Sequence, residues 1–279
     1  MPELPEVETI VRGLSPLLRG RRVSAVWGSG LPLHLARPVD LRALEAISVG
    51  RAFAGARRRG KYILLEIQGP RRDVTAAGVV VHLGMTGRLR VQPAAAERDR
   101  HTHVVFRLDR SKELRFVDPR RFGWVAAGAP LESLPALAAL GPDPLTSLDA
   151  DGLARAMHRV RAPVKAFLLD QRRIAGIGNI YACEALFRAG VHPRTPAGRA
   201  RRRAAPLLEG IREALEGGIA RRGTTLRDYV DSDGIPGDNA SALLVYGREG
   251  LPCPHCHGPV RRAVDSGRST FFCPRCQKR

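Results

Sequence analysis

Residues 253–276 read CPHCHGPVRRAVDSGRSTFFCPRC. Two C-x-x-C pairs, Cys253/Cys256 and Cys273/Cys276, stand 16 residues apart. Each pair fits a tight turn that presents two thiolates, and the span between them fits a β-hairpin that brings the turns together. The result is a tetrahedral four-sulfur site for one structural Zn2+. With all four positions filled by cysteine, no place remains for a reactive water, so this metal does no chemistry. His255 and His257 are alternative ligands that a complete cysteine set makes unnecessary. Four of the five cysteines lie in this stretch, a local cluster rather than a disulfide framework spread over a secreted fold. The fifth, Cys183, falls on a helix face and reads as packing. A hairpin this small has no core of its own, so the metal supplies its folding energy. It carries Arg261, Arg262, Arg268, Arg275, Lys278 and Arg279, a basic surface suited to phosphate.

Upstream of the hairpin the periodicity is helical. Val164–Gln171 is short and amphipathic. Asn179–Ala189 reads as a helix with Asn179 as N-cap and Gly190 just past its end. Residues 203–221 place Leu207, Leu208, Ile211, Leu215 and Ile219 on one stripe. The acid- and glycine-rich segment with Asp231, Asp233, Gly234, Pro236, Gly237 and Asp238 reads as a mobile surface loop. Ala126–Ser147, rich in Ala, Gly, Pro and Leu, reads as a linker with one short helix. Before it the signals are β. Lys61–Ile67 and Gly78–Leu83 are apolar runs, and His103–Leu108 and Leu114–Val117 flank a hairpin turn. Residues 5–18 form an opening helix, with Pro5 in its first turn and Val7, Ile10, Val11 and Leu14 on one face.

The chain has 279 residues, enough for about two domains. Lys plus Arg number 46 against 27 acids, a net charge of +19 that calls for a polyanionic partner, above all nucleic acid. Only Lys61, Lys112, Lys165 and Lys278 are lysines. Hydrophobic residues make up 44%, which excludes wholesale disorder. No apolar run is long enough to span a bilayer, so no membrane partner is expected. The start, MPELPEVET, lacks the apolar core of a signal peptide, and a cytoplasmic location is expected.

That start also carries chemistry. Removal of Met1 leaves Pro2 with a free secondary amine, whose reference pKa of about 8 keeps a useful fraction neutral at pH 7. Such an amine attacks an aldehyde-like carbon and gives an iminium ion. Glu3 stands beside it and is able to shuttle protons.

MPELPEVE, GKY at 60–62, HLGMTG at 82–87, DPRRFG at 118–123, GIGNIYACEALF at 176–187 and the terminal hairpin with GRSTFFCPRCQ form a colinear set. Together they resemble bacterial formamidopyrimidine-DNA glycosylase, from Pro2 to Lys278. The resemblance implies a multidomain α+β fold. An antiparallel β-sandwich with flanking helices (1–130) leads through a hinge (131–147) to a helix–two-turn–helix domain with a lesion-capping loop (148–240). The zinc β-hairpin follows (243–279). It implies a monomer that binds double-stranded DNA containing oxidised bases in a basic cleft between domains. There it excises 8-oxoguanine and formamidopyrimidines and cuts the strand by β,δ-elimination.

By resemblance, Pro2 is the nucleophile, Glu3 assists ring opening and proton transfer, and Glu6 orients the base or the N-terminus. Lys61, Asn179 and Arg268 match phosphate-binding positions. His82, His103, Lys165 and Tyr181 match lesser DNA contacts. Met85, Arg120 and Phe122 match three residues that fill the gap left by the everted base, with Arg120 facing the orphaned cytosine. Without the resemblance, Met85 and Phe122 read as core. The segment Thr224–Val245 matches the capping loop, yet Asp238-Asn239 stands where an aromatic or apolar pair is expected. Two other readings remain open at this point: an endonuclease VIII-like enzyme for oxidised pyrimidines, and a non-catalytic zinc-finger DNA-binding protein.

Overall fold

The computed structural model describes residues 1–34, 38–69 and 74–278. The chain divides into two compact units, one of residues 1–138 with 222–237, the other of 139–221 with 238–279.

The first unit opens with helix α1 (Leu4–Leu18). A reciprocal capping box starts it. The Glu3 side chain accepts from the Glu6 backbone N–H, and the Glu6 carboxylate accepts from the Glu3 N–H at 2.7 Å. The apolar stripe Val7, Ile10, Val11, Leu14 and Leu18 is buried, as its helical spacing requires. The strands are β1 (Val23–Gly28), β2 (Phe53–Arg59), β3 (Tyr62–Gln68), β4 (Val74–His82), β5 (Arg88–Pro93), β6 (Thr102–Leu108), β7 (Lys112–Val117) and β8 (Trp124–Gly128). Helix α2 (Leu41–Ser48) lies between β1 and β2, with Asp40 capping it through the Ala43 N–H. The strands form two four-stranded antiparallel sheets, ordered β1-β6-β7-β5 and β2-β3-β4-β8. Between them Phe53, Ile63, Leu65, Val79, Val81, Val104, Phe106, Leu114 and Phe116 make a single core with α1. Full burial of each such side chain contributes about 1.5–3 kcal/mol. Phe53 of one sheet meets Phe106 of the other edge-on, with ring centroids 6.2 Å apart.

The expected hairpin is β6–β7, paired from Leu108↔Lys112. The expected linker does not begin at Ala126. Ala126–Gly128 complete β8 and pair with Gly78–Val80 of β4. A turn of 3-10 helix and the one-turn α3 (Pro135–Ala138) follow, burying Leu131 and Leu137.

The second unit contains α4 (Ala150–Met157), α5 (Val164–Leu169), α6 (Asn179–Arg188), α7 (Ala197–Ala200), α8 (Ala204–Ala220) and the two-stranded antiparallel hairpin β9 (Arg261–Asp265) and β10 (Arg268–Phe272). Gly218 of α8 lets the Tyr181 ring of α6 lie against the helix, since a Cβ there would overlap the phenol. Gly190 follows α6 with φ +65°, as a C′ glycine should. The N-cap of α6 is Gly178 rather than Asn179, which is the first helical residue.

Residues 222–237, which the sequence reading places in the domain 148–240 with the stretch from Asp231 on as a mobile surface loop, pack with the first unit. Asp231 and Ser232 are buried. The Asp231 carboxylate accepts from the N–H groups of Asp233 and Ile235 and pairs with the Arg222 guanidinium. Arg90 donates to the carbonyls of Ser232 and Asp233. None of the helices among the described residues is long and apolar enough to cross a membrane.

Candidate active site and metal centre

In the first unit, the N-terminus and two loops share one cavity of about 540 Å³. Met1, His34, His82, Met85, Arg120 and Phe122 contribute to its wall. Pro2 and Glu3 are buried directly behind Met1. The peptide bond to Met1 makes the Pro2 nitrogen an amide, so the amine exists only once Met1 is removed.

Glu6 connects this N-terminus to the segment 222–237. One carboxylate oxygen accepts the Glu3 N–H and the other accepts the Thr224 N–H at 2.8 Å. The Tyr229 hydroxyl shares its one hydrogen between the Arg222 carbonyl at 3.0 Å and the Glu6 carbonyl at 3.3 Å. Burial, with the Glu6 carboxylate nearby, raises the Tyr229 phenol well above its ordinary pKa, so it stays a donor.

Met85 and Phe122 are 42% and 46% exposed, which overturns the core reading of either. They project from HLGMTG and DPRRFG, two loops that Asp118 joins. Its buried carboxylate accepts from the Thr86 hydroxyl at 2.6 Å, the Gly123 N–H at 2.8 Å and the Arg120 N–H at 3.2 Å. Gly84 allows the loops to touch. It sits at φ +60°, and a Cβ there would overlap the Phe122–Gly123 backbone. The Arg120 guanidinium lies over the Phe122 ring, 4.6 Å from its centroid.

Lys61 is buried in the β2–β3 turn. His82 ends β4 beneath the HLGMTG loop. Its Nδ1 accepts the Gly84 N–H at 3.2 Å, which requires that nitrogen to be unprotonated. Burial, reinforced by Lys61 and His34 and opposed by Asp118, pulls its pKa down to about 4. His82 is therefore a neutral anchor for the loop, not a cation offered to phosphate.

His103 is likewise not offered to a ligand. It is buried, and both ring nitrogens are engaged, Nδ1 with the Ser29 hydroxyl at 3.1 Å and Nε2 with the Asp118 carbonyl at 3.0 Å. Of the two histidines in residues 101–104 (HTHV), His101 is the accessible one, with 32% of its side chain exposed.

In the second unit, Arg268 is exposed at the start of β10. The turn before it, Ser266-Gly267, has φ of +49° and +73°, the left-handed pair that a two-residue hairpin favours. The Lys165 Nζ donates to the Ser269 carbonyl at 3.0 Å and the Thr270 hydroxyl at 2.7 Å. The Asn179 side-chain amide donates to the same Ser269 carbonyl at 2.9 Å. Both residues thus tie the helices to the hairpin beside Arg268. Lys165 directs its ammonium to the Ser269 carbonyl and the Thr270 hydroxyl of the hairpin, and Tyr181, at 1% exposure, packs on α8.

The four cysteine sulfurs lie within 4.8 Å of one another. Two of the spacings are 3.5 Å (Cys256–Cys273) and 3.8 Å (Cys253–Cys276). Four thiolates held tetrahedrally at about 2.3 Å from zinc sit roughly 3.8 Å apart, so the set fits one structural Zn2+. His255 stacks on Phe187 with centroids 4.7 Å apart, outside this set. Gln277 locks the second knuckle. Its side-chain oxygen accepts the Cys273 N–H at 2.7 Å, and its amide donates to the Val191 carbonyl at 2.9 Å.

Sequence reasoning misses three organising groups. Asp118 stands out there only as a motif letter. Asp231 reads as surface. Glu184 is not singled out, yet its buried carboxylate accepts the N–H groups of Leu244, Val245 and Tyr246. An acid inside an otherwise apolar helix stripe, as in IYACEALF, is the available signal for the last.

Comparison with known proteins covers the whole chain. Residues 1–125 match the model of the formamidopyrimidine-DNA glycosylase N-terminal domain, 140–230 that of its H2TH domain, and 250–279 a zinc finger found in FPG and IleRS. The chain is 48% identical over 282 residues to formamidopyrimidine-DNA glycosylase of Rhizorhabdus wittichii, covering 100% of both. It is 49% identical over 268 residues to that of Moorella thermoacetica, covering 94% of both. The crystal structure of the MutM (Fpg) protein from Thermus thermophilus superposes with a TM-score of 0.85 at 40% identity, covering 99% of this chain and 98% of that one. A Lactococcus lactis Fpg variant in complex with Fapy-dG-containing DNA gives 0.88 at 29% identity, covering 100% of both.

Proposed function

Because the chain belongs to the formamidopyrimidine-DNA glycosylase family, we infer that it is a bifunctional DNA glycosylase and AP lyase of base excision repair. It removes oxidised purines, 8-oxoguanine and formamidopyrimidines, from duplex DNA. The observation that carries this reading within the molecule is the shared cavity. The N-terminus lies on its wall together with Met85, Arg120 and Phe122, two exposed apolar side chains and a planar donor fork. That combination suits a duplex from which one nucleotide has been turned out. The net charge of +19 suits a phosphate backbone. The enzyme acts as a monomer in the cytoplasm.

Each residue then has a role. With Met1 gone, the Pro2 amine attacks C1′ of the damaged nucleoside. The N–C1′ bond forms as the glycosidic bond breaks, and the base leaves with a proton. The C1′–O4′ bond of the resulting N,O-acetal then breaks as O4′ takes a proton, and the C1′ iminium so formed acidifies the C2′ hydrogen, so elimination expels first the 3′ and then the 5′ phosphate. Glu3 moves protons at the opened sugar. Glu6 holds Glu3 and Thr224 in a fixed relation. Lys61, Asn179 and Arg268 take phosphates. Arg120 faces the base left without a partner and favours cytosine, whose acceptors match its donors. Phe122 and Met85 fill the stack. Among the histidines, the accessible His101 replaces His103 as the candidate backbone contact. Zinc, held by Cys253, Cys256, Cys273 and Cys276, supplies the fold of the hairpin that carries Arg268. The Asp238-Asn239 pair, outside the segment that packs with the first unit, bears on lesion choice.

The Pro2→Gly variant tests the nucleophile. It should lose most base release and strand cleavage on an 8-oxoguanine duplex while retaining DNA affinity. Wild-type cleavage in that variant would remove Pro2 from the mechanism.

A further inference from the structure

The turn that carries Arg120 and Phe122 is braced from outside its own strand pair. Three hydrogen bonds reach it from residues 32–34. The His34 backbone N–H donates to the Arg121 carbonyl at 2.9 Å, and the Arg121 Nη1 donates to the Pro32 carbonyl at 3.4 Å. The His34 Nδ1 meets the Phe122 carbonyl at 3.2 Å. A carbonyl only accepts, so Nδ1 carries the hydrogen and donates it. His34 sits at φ +27°, a left-handed conformation that a residue with a Cβ adopts at a cost. The bonds to the turn, and Leu33 buried in the core beside it, hold it there. The Phe122 peptide is thereby gripped on two sides, by the imidazole of His34 and by the close backbone of Gly84. Pro32 and His34 also line the cavity that Met85, Arg120 and Phe122 share.

We propose that His34 is a positioning residue for reading the opposite strand. By fixing the Phe122 peptide, its Nδ1–H sets the direction of the Phe122 ring and, through the cation–π contact, of the Arg120 guanidinium that rests on it. A donor fork discriminates between bases only when its angle is fixed, because a bidentate contact needs both N–H groups aligned at once. This inference rests on the reading of Arg120 as the group that faces the unpaired base.

The test is the ratio of single-turnover excision rates for 8-oxoguanine opposite cytosine and opposite adenine. Both rates come from one preparation, so a loss of folded protein cancels. Four variants are compared. Arg120→Ala removes the reader. His34→Ala removes the donor. His34→Asn keeps an N–H where Nδ1 lies and tolerates the left-handed backbone. His34→Gln places its amide nearer the Nε2 position. Arg120→Ala, His34→Ala and His34→Gln should each lower the ratio about tenfold, and His34→Asn should keep it. If Arg120→Ala lowers the ratio and His34→Ala does not, the inference is overturned while the reading of Arg120 stands. If Gln restores the ratio and Asn does not, His34 acts through Nε2 on the DNA itself and the positioning role is overturned. If Arg120→Ala leaves the ratio intact, the reading of Arg120 fails and the inference falls with it.

Discussion

Asp118 and His82 show how single residues hold two loops in a working shape. Asp118 satisfies three donors from both loops, and His82 accepts the Gly84 N–H that turns one of them. The His82 bond survives only while Nδ1 is bare. In the fold its pKa lies at about 4, against about 6.5 in an unfolded chain. As pH falls through 6.5 toward 4, the unfolded state takes up a proton that the native state refuses. Stability from this site is therefore complete above pH 6.5 and lost progressively below it. The His82 ring resonances should stay flat from pH 8 to about 5.5 in an NMR titration; a midpoint near 6.5 would contradict the buried, neutral assignment. Residue identity is legible in sequence and side-chain direction is not. His82 and Tyr181 lie in motif stretches and His103 and Lys165 outside them, yet each turns its polar atoms or its ring into the protein. A colinear motif ranks positions and does not say which way a buried imidazole or ammonium points. Met85 and Phe122 give the reverse case, apolar residues that the pattern alone assigns to a core and that stand exposed.

At the scale of elements, the opening helix, the β6–β7 hairpin, α6, α8 and the cysteine hairpin are legible, because each has strong periodicity, a cap or a ligand spacing. Strand β8 is not, since Trp124–Gly128 is mostly small residues, and what makes it a strand is its pairing with β4 rather than any local preference. The segment 222–237 is the larger lesson. Acids and glycines read as a surface loop, but Asp231 serves as its internal hub. Arg222 lies at φ +61°, a strained position for arginine, and its ion pair with Asp231 offsets that strain. Removing a buried carboxylate that accepts two N–H groups and a guanidinium costs on the order of 1.5–3 kcal/mol locally. Asp231→Asn should thus speed amide hydrogen exchange of Asp233, Ile235 and Gly237 by roughly tenfold or more. Unchanged protection there would mean that Arg90 and Tyr229 suffice to hold the segment.

For the whole molecule, the charge balance predicts a polyanionic partner, and the family match over the full chain agrees with that expectation. What sequence order conceals is that residues 222–237 pack with the first unit after the intervening run 139–221 of the second, joined to it by Glu6, Arg90 and Tyr229. Return of a chain segment is a long-range event with no local signature. The central claim is that the N-terminal amine performs the chemistry on an oxidised purine. Borohydride trapping tests it most directly, using protein with Met1 removed and zinc bound. The duplexes carry 8-oxoguanine opposite cytosine, thymine glycol, or no lesion. A covalent protein–DNA adduct on the 8-oxoguanine duplex and not on the undamaged one is the predicted result. An adduct mainly on thymine glycol would contradict the purine assignment and point to Asp238-Asn239, and no adduct on either lesion would contradict the Schiff-base mechanism itself.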